Sequence, residues 1–369
     1  MTIKKIVVGV SGGVDSAVSA LLLKNKGFEV IGAFMRNWDE IDEAGQCSGE
    51  KDFADAEYVC RKLDIPLFQV NFVKDYWNNV FLKFLEDYKS GLTPNPDLMC
   101  NKTIKFDIFY DYSKKTHNAD CIATGHYART SFGQFLENSE QGKNVKLLQA
   151  YDKFKDQTFF LSGINQRVLK ETIFPLGRYH KNEIKSMAKK AGLEKLALKK
   201  ESTGICFIGK RNFQDFIQEY IEPKPGNFID IDTGDIVGQH IGIHAWTVGQ
   251  RCRIASFKKP YFVAKKLERD IMVASGTDHP ALYSNTIIGD SASWISDNPF
   301  SFSNKIRCQF RFQHTKPLVP CTLELDSASN KFVVNLDNPL RAVTPGQFGV
   351  FYKEEECLGC VRIINSFTK

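Results

Sequence analysis

The first third of the chain alternates short apolar segments with segments of helical spacing, and this alternation constrains the fold more than any other feature. Residues 5–10 form an apolar run that is typical of a strand buried on both faces of a sheet. Residues 17–26 then carry apolar side chains at helical spacing and end at Gly27. Further predicted strands and helices follow at residues 28–35, 53–63, 66–72, 76–88, 104–115 and 120–124. Strands that alternate with helices predict parallel crossovers and an α/β doubly wound domain.

The pattern changes beyond residue 226, where apolar residues recur with a period of two between Gly and Asp turns. The segment Asp232-Thr233-Gly234-Asp235 is typical of a hairpin turn. We therefore expect three units along the chain. They are a doubly wound catalytic domain (1–211), a small central domain (212–278) and a β-rich C-terminal domain (279–369).

Composition excludes several classes of protein. Of the 369 residues, 43% are hydrophobic and 25% are charged, which is close to the average of globular domains. The apolar runs fall short of the roughly 20 residues that a membrane-spanning helix needs. The apolar N-terminal segment continues into Ser11–Ser16 instead of the small-residue cleavage site of a secretory signal. We therefore expect a cytoplasmic protein without a membrane segment.

Basic residues are concentrated in one segment. Residues 178–211 contain ten basic and three acidic residues, and their net charge of +7 exceeds the +6 of the whole chain. One interpretation is a solvated amphipathic helix, which residues 181–191 match. The other is a contact with a phosphate backbone.

The loop at residues 11–16, Ser-Gly-Gly-Val-Asp-Ser, joins the first predicted strand to the first predicted helix. Glycines at the start of a helix let backbone N–H groups approach an anion closely. The loop lacks the lysine of the P-loop and does not read Gly-x-Gly-x-x-Gly. It resembles the pyrophosphate-binding loop (PP-loop) of the ATP pyrophosphatases, which implies cleavage of ATP between its α and β phosphates. The alternative is a tight turn without a ligand.

The chain contains ten cysteines, which do not predict a disulfide framework in the cytoplasm. The Cys-x-x-Cys segment Cys357–Cys360 has neither a second pair nor nearby histidines, so we predict no metal site. If cysteines have a function here, they act singly as thiolates.

Two of these cysteines lie in settings that favour a thiolate. Cys100 follows the turn Asn95-Pro96-Asp97, which can hold the thiol outward near a helix N-terminus. Cys206 lies in a glycine-flanked loop beside Lys210 and Arg211. Taken singly, each cysteine is more often a small core residue.

Longer blocks occur in the same order as in one family of ATP pyrophosphatases. They are Gly12–Ser16, Asn95–Asn101, Thr124–Arg129, Lys155–Thr158, Ser202–Gly209, Thr247–Arg251 and Thr344–Gln347. With these blocks the chain resembles the bacterial and mitochondrial tRNA-specific 2-thiouridylase (MnmA/TrmU) family over nearly its whole length. The resemblance implies a PP-loop catalytic domain, a tRNA-binding central domain and an antiparallel β-barrel-like C-terminal domain.

The same resemblance implies an activity. Such an enzyme uses ATP to adenylate the C2 carbonyl of the wobble uridine in tRNA, and a cysteine persulfide then supplies sulfur, giving 2-thiouridine, AMP and pyrophosphate. Cys206 would carry the persulfide, Cys100 would be the partner thiol, and Asp97 a general acid/base. The implied ATP contacts are Gly9, Val10, Ser11, Gly12, Gly13, Val14, Asp15, Ser16, Met35 and Gly125. The implied tRNA contacts are Asn95, Pro96, Asp97, His126, Lys155, Asp156, Gln157, Arg311, Phe312 and Gln347.

The residues leave some points open. Cys100 can release hydrosulfide from the Cys206 persulfide, or the persulfide can attack C2 directly with Cys100 resolving the adduct. Phe312 is either exposed beside Arg311 for stacking on a base or an ordinary core residue. We also expect Mg²⁺ with ATP, with Asp15 as one possible ligand, a cysteine desulfurase or relay protein as sulfur donor, and a monomer that binds the anticodon arm.

The sequence leaves two rival functions open. One is an ATP pyrophosphatase that delivers ammonia, which needs no reactive cysteine pair. The other is a non-catalytic RNA-binding protein that senses ATP, which has no use for Cys100 and Cys206.

Overall fold

The structure is a computed structural model. It describes residues 3–38, 48–140, 142–200, 205, 207–209, 211–254 and 259–368. The elements of its first part are, in chain order, β1 (Lys5–Gly9), α1 (Val14–Asn25), β2 (Glu29–Arg36), α2 (Ser48–Leu63), β3 (Leu67–Asn71), α3 (Val73–Tyr76), α4 (Leu82–Lys89), α5 (Pro96–Cys100), α6 (Phe109–His117), β4 (Cys121–Ala123), β5 (Ala128–Thr130), β6 (Leu147–Gln149), α7 (Thr158–Leu161), α8 (Gln166–Leu169), β7 (Thr172–Ile173), α9 (Lys181–Lys190) and α10 (Glu194–Leu198).

Five of these strands form a parallel sheet in the order β3-β2-β1-β4-β7. The central strand β1 buries Ile6, Val7 and Val8 completely, as expected of a strand covered on both faces. The chain runs from β1 through β2 to β3 on one side and places β4 on the other. The predicted doubly wound fold is therefore confirmed, and the order reverses between β1 and β4, where such sheets bind ligands.

Two predicted helices are interrupted by π-helical segments. Trp77–Phe81 separates α3 from α4, and Asn101–Ile108 separates α5 from α6. Apolar spacing does not reveal an extra residue in a helical turn, so the sequence predicted continuous helices over residues 76–88 and 104–115. The second π-helical segment follows α5 directly and so continues the helix past Cys100.

The central part is a small sheet preceded by one helix. Its elements are α11 (Phe213–Gln218), β8 (Gly226–Asp230), β9 (Ile236–His240), β10 (Arg251–Cys252), β11 (Tyr261–Lys266) and β12 (Ile271–Ser275), with a 3₁₀ turn at Ile243–Ala245. The strands pair in the order β10-β11-β12-β8-β9. β8 and β9 are antiparallel around residues 232–235, which confirms the predicted hairpin turn.

The C-terminal part is a closed antiparallel barrel of six strands. They are β13 (Tyr283–Trp294), β14 (Lys305–Arg311), β15 (Val319–Asp326), β16 (Lys331–Arg341), β17 (Phe348–Lys353) and β18 (Glu356–Phe367). The order β13-β16-β15-β14-β17-β18 is closed by pairing of β13 with β18, which confirms the barrel-like domain.

Strands β5 and β6 leave the first part and join the barrel. β6 pairs with β18, so that Leu147 lies opposite Cys357, and β5 pairs with β6. The segment that follows β4 is thereby attached to the C-terminal part, which the sequence did not predict. Among the helices of the described residues, none is both long enough and apolar enough to cross a membrane.

Candidate functional site

The loop after β1 has the geometry of an anion site. Gly12 has a φ of +71°, and a Cβ on it would lie 2.3 Å from the backbone oxygen of Asp52, so a side chain does not fit there. Gly13 precedes α1, and no described side chain caps the first turn of that helix. The N-terminal N–H groups of α1 and its positive dipole end therefore face the crevice of the sheet.

Two serines fold this loop on itself. Ser16 Oγ accepts a hydrogen bond from the Ser11 N–H at 3.1 Å and lies 3.2 Å from Ser11 Oγ. The same hydroxyl donates to the Gly13 carbonyl at 3.1 Å. Both hydroxyls are thus held at the mouth of the loop, where their donors can turn to a bound anion.

The other implied ATP contacts lie around the same edge. Gly9 ends β1, and Met35 Cε lies 3.2 Å from the position a Cβ on Gly9 would take. A Cβ on Gly125 would lie 2.8 Å from Ser16 N, so the turn after β4 packs tightly on the start of α1. The structure brings the ends of β1, β2 and β4 together, while the contacts to ATP stay a prediction.

The carboxylate of Asp15 is occupied by protein groups. Lys181 Nζ lies 2.8 and 2.6 Å from its two oxygens, and the Tyr127 hydroxyl donates to Oδ1 at 2.8 Å. The Lys181 side chain is only 10% exposed. Three such bonds, two of them from a cation, use most of the acceptor capacity of the Asp15 carboxylate, so the residue is a poor fit for a Mg²⁺ ligand.

Part of the basic segment also faces inward. Lys199 Nζ donates to the Gly12 carbonyl at 3.2 Å, to Asp52 at 2.9 Å and to Asp55 at 2.7 Å, and Lys195 bonds Asp55 at 2.8 Å. Burial alone raises the pKa of Asp55, but the two lysines outweigh it and hold the pKa below its usual value. Lys199 therefore ties the basic segment to the loop, whereas the Lys195 side chain pairs with Asp55 and stays 70% exposed. A phosphate contact of the basic segment stays a prediction.

The turn before Cys100 is built by its own side chains. Asn95 accepts a hydrogen bond from Leu98 N at 3.1 Å and caps α5, and Pro96 occupies the first helical position. Asp97 is an exposed residue, yet desolvation by the surrounding protein raises the pKa of its carboxyl, and the charge of Lys105 only partly offsets this.

The expectation that this turn holds Cys100 outward is wrong. The Cys100 residue is 7% exposed and packs in the main core, because the helix continues through Asn101 and turns this position inward. Cys206 lies outside the described residues, as do Ser202, Thr203, Gly204 and Lys210.

Comparison with known proteins identifies the family of this site. The chain matches the family models described as tRNA methyl transferase HUP domain over residues 4–210, tRNA methyl transferase PRC-barrel domain over 214–274 and Aminomethyltransferase beta-barrel domain over 284–363. It is 57% identical over 369 residues to the mitochondrial tRNA-specific 2-thiouridylase 1 of Drosophila melanogaster, covering 99% of this chain and 95% of that protein.

The human protein of the same name is 46% identical over 382 residues, covering 98% of this chain and 90% of that protein. The chain belongs to the tRNA-specific 2-thiouridylase family. The resemblance drawn from the motifs is thus confirmed. The names of the two relatives given above describe enzymes that modify tRNA. These relatives are called mitochondrial, whereas the cytoplasmic location expected here, like the limits of the three domains, stays a prediction.

Two implied tRNA contacts of this thiouridylase-family chain, His126 and Gln157, adjoin Tyr127, whose hydroxyl donates to Asp15 of the loop at residues 11–16. His126 Nδ1 lies 2.8 Å from Thr124 Oγ1, and burial, assisted by Lys105, lowers the pKa of its imidazole well below the usual value. Gln157 Oε1 accepts from the Tyr127 N–H at 2.9 Å, and Lys155 lies in the turn just before it. The neutral His126 ring can donate or accept a hydrogen bond without carrying charge.

Arg311 and Asp156 face each other inside the protein. Arg311 Nη2 lies 2.8 Å from Asp156 Oδ2 and 2.9 Å from the Tyr352 hydroxyl, and the two side chains are 7% and 1% exposed. Of the two alternatives left open for Phe312, the structure shows the core residue, because Phe312 is 3% exposed and its ring stacks near Phe310 in the barrel core. Their role as tRNA contacts stays a prediction.

Sequence reasoning missed several residues that organise the site. Tyr127, Lys181, Lys199 and Tyr352 hold Asp15, the loop and Arg311 in place. Tyr127 lies within the block Thr124–Arg129 and could have been found there. The partners of the others are more than 40 residues away in the sequence, so no local pattern marks them.

Proposed function

We propose that this chain is a tRNA-uridine 2-sulfurtransferase that adenylates the C2 carbonyl of the wobble uridine and replaces its oxygen with sulfur. One observation carries the proposal. The glycine-serine loop and the uncapped start of α1 lie at the reversal of the sheet, in a chain that matches a named 2-thiouridylase over 99% of its length.

The loop supports binding of ATP at its phosphates. Gly12 and Gly13 allow close approach of the backbone, and Ser11 and Ser16 add hydroxyl donors to the N–H groups of α1. Mg²⁺ commonly accompanies ATP phosphates. Because Asp15 is held by Lys181 and Tyr127, we assign no protein ligand to that ion.

Adenylation explains why ATP is needed. The C2 oxygen of uracil is a poor leaving group, and its transfer to the α phosphate of ATP turns it into the oxygen of AMP, with release of pyrophosphate. The raised pKa of Asp97 suits a group that holds and returns a proton near the target base.

Sulfur transfer needs two thiols. In one route, the terminal sulfur of a Cys206 persulfide attacks C2 and AMP leaves. The Cys100 thiolate then attacks Cys206 Sγ, so that the base departs with its sulfur and a Cys100–Cys206 disulfide remains. In the other route, Cys100 attacks first and hydrosulfide is the nucleophile. A thiol reductant resets the disulfide in both routes.

The proposal includes its partners. The substrate is the anticodon arm of a tRNA whose wobble uridine leaves its stack to reach Asn95, Pro96 and Asp97. A cysteine desulfurase or relay protein supplies the persulfide sulfur, and a monomer binds one tRNA.

The test is thiolation of an unmodified tRNA transcript with ATP, Mg²⁺ and a persulfide-generating desulfurase, followed by nucleoside mass analysis. Wild type should form 2-thiouridine, and Cys100→Ser and Cys206→Ser should not. Cys60→Ala, which changes a buried cysteine in α2, is the matched control and should retain activity. AMP and pyrophosphate without a thionucleoside under any donor would instead favour the amide-forming alternative.

A further inference from the structure

Residues 91–95, which we call the strap, connect α4 to α5 and lead directly into the turn that carries Asp97 and Cys100. The strap is held by Gln347, which lies between β16 and β17 in the barrel. Gln347 Nε2 donates to the carbonyls of Thr93 and Pro94 at 2.8 and 3.0 Å. Its Oε1 accepts from Asn95 Nδ2 at 3.3 Å. Both amide protons and the amide oxygen of Gln347 are therefore used on the strap.

The backbone on both sides reinforces this contact. Thr93 N donates to the Pro345 carbonyl at 2.9 Å. Gly346 has a φ of +95°, and a Cβ there would lie 2.7 Å from Thr93 N and 2.9 Å from Leu92 Cβ. The barrel turn and the strap are thus in direct backbone contact, and no side chain fits between them.

Residues of the central part and of the barrel also make contacts at the start of the strap and just before it. At its start, a Cβ on Gly91 would lie 2.9 Å from Ile243 Cδ1 of the central part. Before it, Asp87 of α4 forms an ion pair with Arg362 of β18. Thr93 as a residue is partly exposed, but its Oγ1 is buried and has no hydrogen-bond partner in the described part of the chain.

We propose that Gln347 is a positioning residue, through which the barrel sets the orientation of the Asn95–Asp97 turn and of α5. The family resemblance implies that Gln347 contacts tRNA directly, and the hydrogen bonds above instead place its amide on the protein. The effect of Gln347 on the reaction rests on the proposed function, whereas its effect on the packing of Cys100 does not.

Two variants test this inference against a matched control. Gln347→Ala removes all three side-chain bonds, and Gln347→Glu keeps the size of the side chain but cannot donate to the two carbonyls. Gln69→Ala changes an exposed glutamine on the edge strand β3. The measurements are kcat and KM for tRNA, the Kd for tRNA without ATP, and the rate of Cys100 alkylation by iodoacetamide, followed by peptide mass analysis in the absence of tRNA.

Both Gln347 variants should lower kcat by about 10- to 100-fold, since small misplacements of reacting groups have effects of this size. The Kd for tRNA should change by less than about twofold. Cys100, which is 7% exposed in the wild type, should be alkylated about tenfold faster because the strap no longer holds α5 in place. Gln69→Ala should match the wild type in every measurement.

The opposite pattern overturns the inference. If both variants raise the Kd for tRNA while kcat at saturating tRNA and the alkylation of Cys100 keep their wild-type values, Gln347 is an RNA contact. If the wild type forms no thionucleoside, the proposed function fails, but the alkylation of Cys100 still decides the inference. Faster alkylation then supports the strap contact and an unchanged rate refutes it.

Discussion

Replacing Arg311 with Met separates a structural role of the buried ion pair from a direct role in RNA binding. Arg311 donates to Asp156 Oδ2 at 2.8 Å and to the Tyr352 hydroxyl at 2.9 Å. Asp156 comes from the segment before α7, so this pair connects the first part of the chain to the barrel. Met fills a similar volume and removes the charge, which leaves Asp156 as an anion inside the protein.

The expected cost follows from burial and from the remaining partners. Breaking a fully buried pair costs about 3–5 kcal/mol. The lower end applies here for two reasons. Asp156 keeps hydrogen bonds from Ala150 N and from Thr158, and Arg311 Nε is buried without a partner in the described residues, which already weakens the native pair. About 3 kcal/mol corresponds to a decrease in Tm of roughly 6–12 °C for a domain of 150–250 residues.

Thermal unfolding followed by circular dichroism measures this change, with filter binding of tRNA beside it. Arg307→Met is the matched control, because Arg307 lies on the same strand and forms an ion pair with Asp337 at the exposed surface. Its Tm should stay within about 2 °C of the wild type. The reasoning is refuted if Arg311→Met leaves the Tm unchanged and raises only the Kd for tRNA.

Three further predictions concern the loop at residues 11–16, the central part of the chain and the Asn95–Asp97 turn. Gly125→Ala should raise the Kd for ATP at least about tenfold, because a Cβ would lie 2.8 Å from Ser16 N, and a wild-type value in equilibrium binding would contradict this. Lys266→Met should raise the Tm more at pH 6 than at pH 10. Burial lowers the pKa of Lys266 to about 7, whereas a lysine in the unfolded chain has a pKa of about 10.4. Between these pH values the unfolded chain binds more protons than the folded one, so the destabilising effect of Lys266 decreases as the pH rises. An equal gain in Tm at both pH values argues against this reasoning. Asp97→Asn should remove one limb of the pH profile of kcat. The midpoint of that limb should lie above the usual Asp pKa of about 4, because desolvation raises the pKa of Asp97. Persistence of the limb in the variant would exclude Asp97 as the titrating group.

The parts of the fold that the sequence predicted depend on local patterns. Apolar runs and helical spacing reflect which faces of each segment are buried, and this information is carried by neighbouring residues. The glycine-serine loop after β1 was predictable for the same reason, since Gly12 must adopt a positive φ and Gly13 must precede α1. The barrel was predicted only from the blocks shared with a family, because no local sequence pattern indicates that β13 pairs with β18 and closes the barrel.

The parts that the sequence did not predict depend on distant partners. Lys181 and Lys199 read as surface charges, but they pair with Asp15 and Asp52, which are more than 140 residues away. Cys100 looked exposed because the turn before it is rigid, and the continuation of the helix past Asn101 turned it into the core.

Arg311 and Phe312 show the same limit at the end of β14. A basic residue beside an aromatic one is a common pattern in RNA contacts. The same pair of residues also occurs in the sequence where the basic residue forms a buried ion pair and the aromatic residue packs in a barrel core. Only the position of Asp156, on a segment more than 150 residues away, distinguishes the two.

Transfer of the C2 oxygen of the wobble uridine to AMP is the central chemical claim, and an isotope label tests it directly. A tRNA carrying oxygen-18 at C2 of that uridine is incubated with the protein, ATP, Mg²⁺ and a persulfide donor, and the AMP is analysed by mass spectrometry. The account predicts that each AMP formed with 2-thiouridine carries the heavy oxygen. Formation of 2-thiouridine together with unlabelled AMP would contradict it.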